Sequence, residues 1–134
     1  MGRILAIDYG KVRNGLAISD ETKSLARALK VVIGLDGLKK EMDVLFDMYQ
    51  IEKVIIGVSN NADGSIGEIG KLAKKFAVYL QNKFSAKVEL YDEAMTTKEV
   101  ERRFRTLGKH LKKHKHEIDK YAAEMILQEY LMQI

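Results

Sequence analysis

A short apolar run that ends in a carboxylate constrains this chain more than any other feature. Arg3-Ile4-Leu5-Ala6-Ile7-Asp8 reads as a buried strand with Asp8 at its tip. A carboxylate there is costly unless it is paired, hydrogen-bonded or bound to a cation. Gly10 follows at once, and glycine lets the backbone turn sharply or approach a ligand. The question is which distant residues join Asp8.

The remaining elements follow from pattern. Tyr9–Asn14 reads as a polar turn carrying Lys11 and Arg13, and Gly15–Ser19 as a returning strand. Asp20–Ser24 is a second turn and Ala28–Ile33 a third strand, so the chain opens as an antiparallel meander. Gly34-Leu35-Asp36-Gly37 interrupts the pattern. Leu38, Met42, Leu45, Phe46 and Tyr49 then recur at helical spacing, predicting a helix over about 37–49. Lys53–Val58 reads as a buried strand and Ser59–Gly64 as a loop. Ser65 with Glu68 has the form of a capping box opening a long helix. Lys87–Tyr91 is a fifth strand closed by Asp92 and Glu93. Thr96 with Glu99 predicts a second capping box and a short helix over about 97–106. Gly108–His116 has little to bury, and Ile118–Met132 forms the last helix. The expected architecture is α/β: one domain over 1–134, with a mixed five-stranded sheet and helices on its faces.

Composition excludes several classes. The 134 residues include no cysteine, which removes disulfides, thiolate chemistry and cysteine metal sites. No apolar run approaches the roughly 18 residues that span a bilayer. The N-terminus enters a strand without a leader pattern, so a cytoplasmic protein with no membrane partner is expected. The formal net charge is +4, and its distribution is uneven. Residues 98–120 hold nine basic and four acidic residues; the remainder holds fourteen and fifteen. That localised charge, with His110, His114 and His116 beside it, points to a polyanion such as nucleic acid.

Three acids stand out at element ends: Asp8, the Asp92-Glu93 pair, and Asp119. The partners of Asp119 at helical spacing are Ala122, Ala123, Ile126 and Leu127, so it lies on an apolar stripe, an unusual position for an acid. Each acid alone has an ordinary explanation as a cap or a turn residue. Together, without a cysteine or an obvious histidine triad, they match what Mg²⁺ or Mn²⁺ takes as ligands. Ions held by such carboxylates activate water for phosphodiester cleavage. Gly64, Ser65 and Gly67 are candidates to bind a phosphate through a helix start.

These residues resemble the YqgF/RuvX family of RNase H-like proteins, known under the names Holliday junction resolvase and pre-16S rRNA nuclease. The opening stretch Ile7-Asp8-Tyr9-Gly10, with Arg13, Gly15, Ala17 and Ser19-Asp20, is similar to the family's first motif. Asp63-Gly64-Ser65 with Gly67, Phe76-Ala77 and Leu80 is similar to its second. Asp92-Glu93 with Thr96-Thr97 and Glu101-Arg102-Arg103 is similar to its third, and Asp119, Ala122-Ala123 and Ile126-Leu127-Gln128 with Tyr130-Leu131 to its last. The resemblance implies an RNase H-like fold and metal-dependent cleavage of structured nucleic acid, RNA or branched DNA. It implies a site of Asp8, Glu93 and Asp119, with Asp92 as the substitute for Glu93.

The backbone-holding residues would be Lys11, Arg13, Lys98, Arg102, Arg103, Lys109, Lys112, Lys113 and Lys115. The family's usual Arg after Asp-Glu is Ala94 here, which removes a planar, bidentate phosphate donor. A junction has two cleavage points, so a resolvase is expected to be a homodimer. Two rival readings remain: a non-catalytic nucleic-acid-binding module, and an actin-like ATP-binding domain, which normally needs two such domains.

Overall fold

The computed structural model describes residues 2–58, 67–92 and 115–134, with 115–120 described by backbone alone. Five strands form one sheet in the order β3-β2-β1-β4-β5. They are β1 (Arg3–Asp8), β2 (Arg13–Ser19), β3 (Ala26–Ile33), β4 (Ile51–Val58) and β5 (Lys87–Asp92). β1 pairs antiparallel with β2 and β2 with β3, whereas β1–β4 and β4–β5 are parallel. This is the expected meander plus two parallel strands.

The helices are α1 (Gly34–Met48), α2 (Glu68–Phe84) and α3 (Lys115–Leu131). Strand alternation sends Leu5, Ile7, Leu16, Ile18, Val54 and Ile56 to one face. There they pack with Leu38, Met42 and Leu45 of α1 and Ala73, Phe76 and Leu80 of α2. Ile4, Ala6, Ala17 and Ile55 point to the other face, against Ala123, Ile126, Leu127 and Tyr130 of α3. Each face therefore has its own apolar layer, and the helices cover both, as the sequence predicts. Ala122 and Ala123 are buried, which lets α3 approach the sheet closely.

Several boundaries differ from the sequence expectation. β3 begins at Ala26 and β4 at Ile51, earlier than the apolar pattern alone suggests. α1 starts at Gly34 rather than near residue 37. Gly34, at φ +72°, turns the chain directly from β3 into the helix, and its N–H donates to Val12 O at 2.7 Å. The expected interruption is thus the first turn of the helix. The capping box does not form with Glu68 at its third position: the N-cap is Gly67, without a side-chain cap, and Glu68 opens α2. Ser65 lies outside the described residues, as do 97–106. α3 begins at Lys115, so Lys115 and His116 belong to a helix rather than to the expected basic segment. Among the described residues, no helix is long and apolar enough to cross a membrane.

Candidate functional site

β1, β3, β4 and β5 all finish at one end of the sheet, and β2 starts there. α1 opens at that end directly after β3, and α2 opens beside it, with Lys11 Nζ 4.0 Å from Glu68 Oε1. α3 runs the opposite way to β1. Its C-terminal part lies at the far end, where the Gln128 amide accepts from Ala26 N (2.9 Å) and donates to Ser24 O (3.1 Å). Tyr130 meets Lys53 at the start of β4. All three helices therefore direct their N-termini, the positive ends of their dipoles, toward the sheet end that carries Asp8.

Asp8 is half-buried there, and strand alternation puts it on the α3 face with Ile4 and Ala6. Its cross-strand partners are Gly15 on β2 and Gly57 on β4. Cross-strand neighbours approach within about 5 Å on one face, and here neither has a side chain. Both glycines are buried, and neither places a Cβ beside the carboxylate. The two amides after Asp8 are used elsewhere: Tyr9 N donates to Gly57 O at 3.1 Å and Gly10 N to Asn14 Oδ1 at 3.0 Å.

Asp119 reaches the same level by its backbone. From Asp119 to Gln128 is nine residues of α3, about 13.5 Å at 1.5 Å per residue. From Ile4, beside the far end of β2, to Asp8 is four residues of β1, about 13 Å at 3.3 Å per residue. Asp92 is exposed and pairs in register with Val58, which points to the α1–α2 face. Asp92 therefore falls on the face opposite Asp8, while Tyr91, one residue earlier, packs toward α3. Glu93 lies outside the described residues. Among those residues no group of three acidic or histidine side chains is gathered. Asp8 itself supplies hard oxygen donors, the donor chemistry a hard divalent cation takes.

The loop after Asp8 is held in one shape. A Cβ at Gly10 would collide with the carbonyl oxygen of Arg13, so this position admits only glycine without movement. Asn14 is buried, and its side-chain oxygen ties Gly10 down. Tyr9 turns to the opposite face, 6.0 Å from the Phe76 ring, and burial raises its phenol above the usual range. Lys11 is exposed and Arg13 half-buried in the same loop. Gly67 sits at the N-cap of α2. Gly64, Ser65, Lys98, Arg102, Arg103, Lys109, Lys112 and Lys113 lie outside the described residues, and Lys115 is described by its backbone in the first turn of α3.

Two contributors were not legible as site residues. Asn14 reads as a turn residue, and its only sequence signal is a polar side chain abutting an apolar strand. Gly57 reads as one small residue of an apolar run, and only the strand register sets it beside Asp8.

Comparison with known proteins agrees with this fold. The family described as "RuvX: Holliday junction resolvase" matches residues 2–133. A relative from Halothermothrix orenii, named "Putative pre-16S rRNA nuclease", is 37% identical over 132 residues, covering 96% of this chain and 94% of its own. T. thermophilus RuvC, solved with a Holliday junction substrate, shares the fold with a TM-score of 0.57 at 15% identity over 99% of this chain and 96% of that one. Fowlpox virus resolvase, solved with Holliday junction DNA, does so with a TM-score of 0.58 at 14% identity over 98% of this chain and 97% of that one. The sheet is thus that of the RNase H-like resolvases, and the chain belongs to the RuvX family.

Proposed function

We propose that this chain is a divalent-metal-dependent endonuclease of structured nucleic acid, one domain over 1–134, acting in the cytoplasm on the 5′ end of pre-16S rRNA. As a RuvX-family member it is a phosphodiester hydrolase. The observation that carries the reading is Asp8, flanked by Gly15 and Gly57 at the sheet end to which three helix N-termini point. The RNA substrate is supported by the name of the Halothermothrix relative.

In this reading Asp8, Glu93 and Asp119 hold Mg²⁺ or Mn²⁺. Glu93 is preferred to Asp92 because Asp92 falls on the opposite face from Asp8. When bound, the cation supplies an activated water and offsets the charge that develops on the phosphate. The chain's own part is positional. Gly15 and Gly57 keep Cβ atoms away from Asp8, and Asn14 fixes the turn through Gly10. Lys11, Arg13, Lys98, Arg102, Arg103, Lys109, Lys112, Lys113 and Lys115 hold the backbone, and Gly64, Ser65 and Gly67 are the phosphate-loop candidates.

The test compares wild type with Asp8→Asn on a pre-16S 5′ leader RNA and on a four-way DNA junction, each with Mg²⁺ and with Mn²⁺. Cleavage of the RNA by wild type and its loss in a folded Asp8→Asn protein are expected. Equal cleavage by both proteins would sink the site. The family's description favours a second reading, a junction resolvase. That reading requires a homodimer and paired cuts in the junction, so oligomeric state in solution separates the two. A chain that binds nucleic acid yet neither cuts it nor binds a divalent cation would be a binding module, with Ala94 marking the lost guanidinium.

A further inference from the structure

Outside the Asp8 site, one charged surface calls for an explanation. α2 carries four lysines, Lys71, Lys74, Lys75 and Lys83, against a single acid, Glu68. Lys71, Lys74 and Lys75 are all exposed and lie at spacings of three and four, so they share one face of the helix. Lys71 falls in the first turn, at the positive end of the dipole where cations are disfavoured, and Lys74 and Lys75 follow in the next turn. Lys71 and Lys75 are also a like-charge pair one turn apart, which is unfavourable by itself.

Several nearby lysines are partnered. Lys83 lies 2.7 Å from Asp43, Lys39 sits over the Tyr79 ring at 4.6 Å, and Lys30 pairs with Glu41 at 3.1 Å. Among the described residues, no ion pair or ring contact involves Lys71, Lys74 or Lys75. Three cations on one helix face, with Glu68 the one acid of that helix, concentrate positive charge that a polyanion would offset. The face is also continuous with the site, since Lys11, in the loop after Asp8, reaches Glu68 at the head of α2.

We infer that the Lys71–Lys74–Lys75 face of α2 is a second contact for the nucleic-acid backbone. The strand held at Asp8 would run over Lys11 and down the outside of α2. This inference rests on the proposed nuclease reading and extends it to a surface away from the cleavage point. The occupant is the phosphate backbone, because exposed ammonium groups recognise phosphate by charge. From Glu68 to Lys75 the helix rises about 10 Å, enough for a few consecutive phosphates.

The experiment measures binding of the full chain to a fluorescent RNA duplex and to a four-way DNA junction, in a chelating buffer, across a salt series. Lys71→Gln/Lys75→Gln is compared with Lys23→Gln/Lys87→Gln, which removes the same charge at the opposite end of the sheet. The first pair should raise Kd roughly tenfold near 0.1 M salt and flatten the slope of log K against log salt by about two. The second pair should leave the slope as in wild type. Equal slopes for the two double variants would overturn the inference and leave the Asp8 site standing. Failure of wild type to bind either probe would overturn both. Glutamine is as good a helix former as lysine, so the first pair should melt at or slightly above the wild-type temperature. If that protein does not fold, the single variants Lys71→Gln and Lys75→Gln should each flatten the slope by about one.

Discussion

Asp8 and Asp20 belong to the same short stretch of sequence, one ending a strand and the other following one, yet they stand at opposite ends of the sheet. Asp20 is claimed by its own loop. Its carboxylate accepts from Ser24 N (2.9 Å), Leu25 N (3.1 Å), Thr22 Oγ1 (2.8 Å) and Ser24 Oγ (3.2 Å). Those bonds, the backbone amides first, lower its pKa to about 2. Around it Arg3 donates to Ser19 O, Ser19 Oγ accepts from Ile4 N, and Gln128 clasps Ser24 and Ala26. The turn after Asp8 is built differently. The amides of Tyr9 and Gly10 go to Gly57 O and Asn14 Oδ1, and glycines flank Asp8 on both strands. A strand-end carboxylate that its own loop saturates is architecture. At Asp8 the two amides that follow serve the turn instead.

The sharpest way to break this contrast is substitution at Asp8. Asp8→Asn should lower cleavage by at least about 100-fold, more than losing an outer-shell partner of a metal costs, while the melting temperature holds. Asp20→Asn should leave cleavage near wild type, and a matching loss in both variants would erase the distinction. Gly10→Ala comes next. Its methyl meets the Arg13 carbonyl, so the loop must shift, at about 1–3 kcal/mol of stability in chemical denaturation. An unchanged midpoint would mean that the turn yields freely. Gly57→Val follows. It sets a branched side chain beside Asp8 at a buried strand position, so overpacking should cost about 1–3 kcal/mol of stability. Cleavage by the folded protein should fall roughly tenfold or more by crowding, as small displacements at a reacting centre do. Undiminished kcat/KM would show that the glycine flank has no function.

The contrast also explains what could be read in advance. The strands and helices were legible because their apolar periodicities of two and 3.6 are strong and the two faces do not conflict. The first turn of α1 was not, because Gly34-Leu35-Asp36-Gly37 looks like a loop until Gly34 at φ +72° turns β3 straight into a helix. Asp8 was legible as an anomaly of burial. Gly57 and Gly15 were not legible as its neighbours, since register between strands far apart in sequence is a tertiary property. The sequence left Asp92 and Glu93 open as alternatives, and the pairing of Asp92 with Val58 now sets Asp92 on the opposite face from Asp8. Asp20, part of the same opening motif as Asp8, needed its hydrogen bonds on view before its structural role was plain.

The smallest effect expected is a slope with pH. Asp20 has a folded-state pKa of about 2 against an ordinary 3.8. A depressed carboxyl contributes stability that is fully present above its unfolded pKa and is lost as the pH falls through the folded one. The Asp20 contribution should therefore be constant at neutral pH and disappear between about pH 4 and pH 2. Because the carboxylate faces solvent, the loss is modest and further screened by salt. Asparagine keeps an acceptor for the Ser24 and Leu25 amides but does not titrate. The difference in melting temperature between wild type and Asp20→Asn should thus shrink as the solution is acidified across that window. A difference between wild type and Asp20→Asn that stays constant down to pH 2 would mean that the turn does not draw on the charge of Asp20, and the two aspartates would lose their distinction.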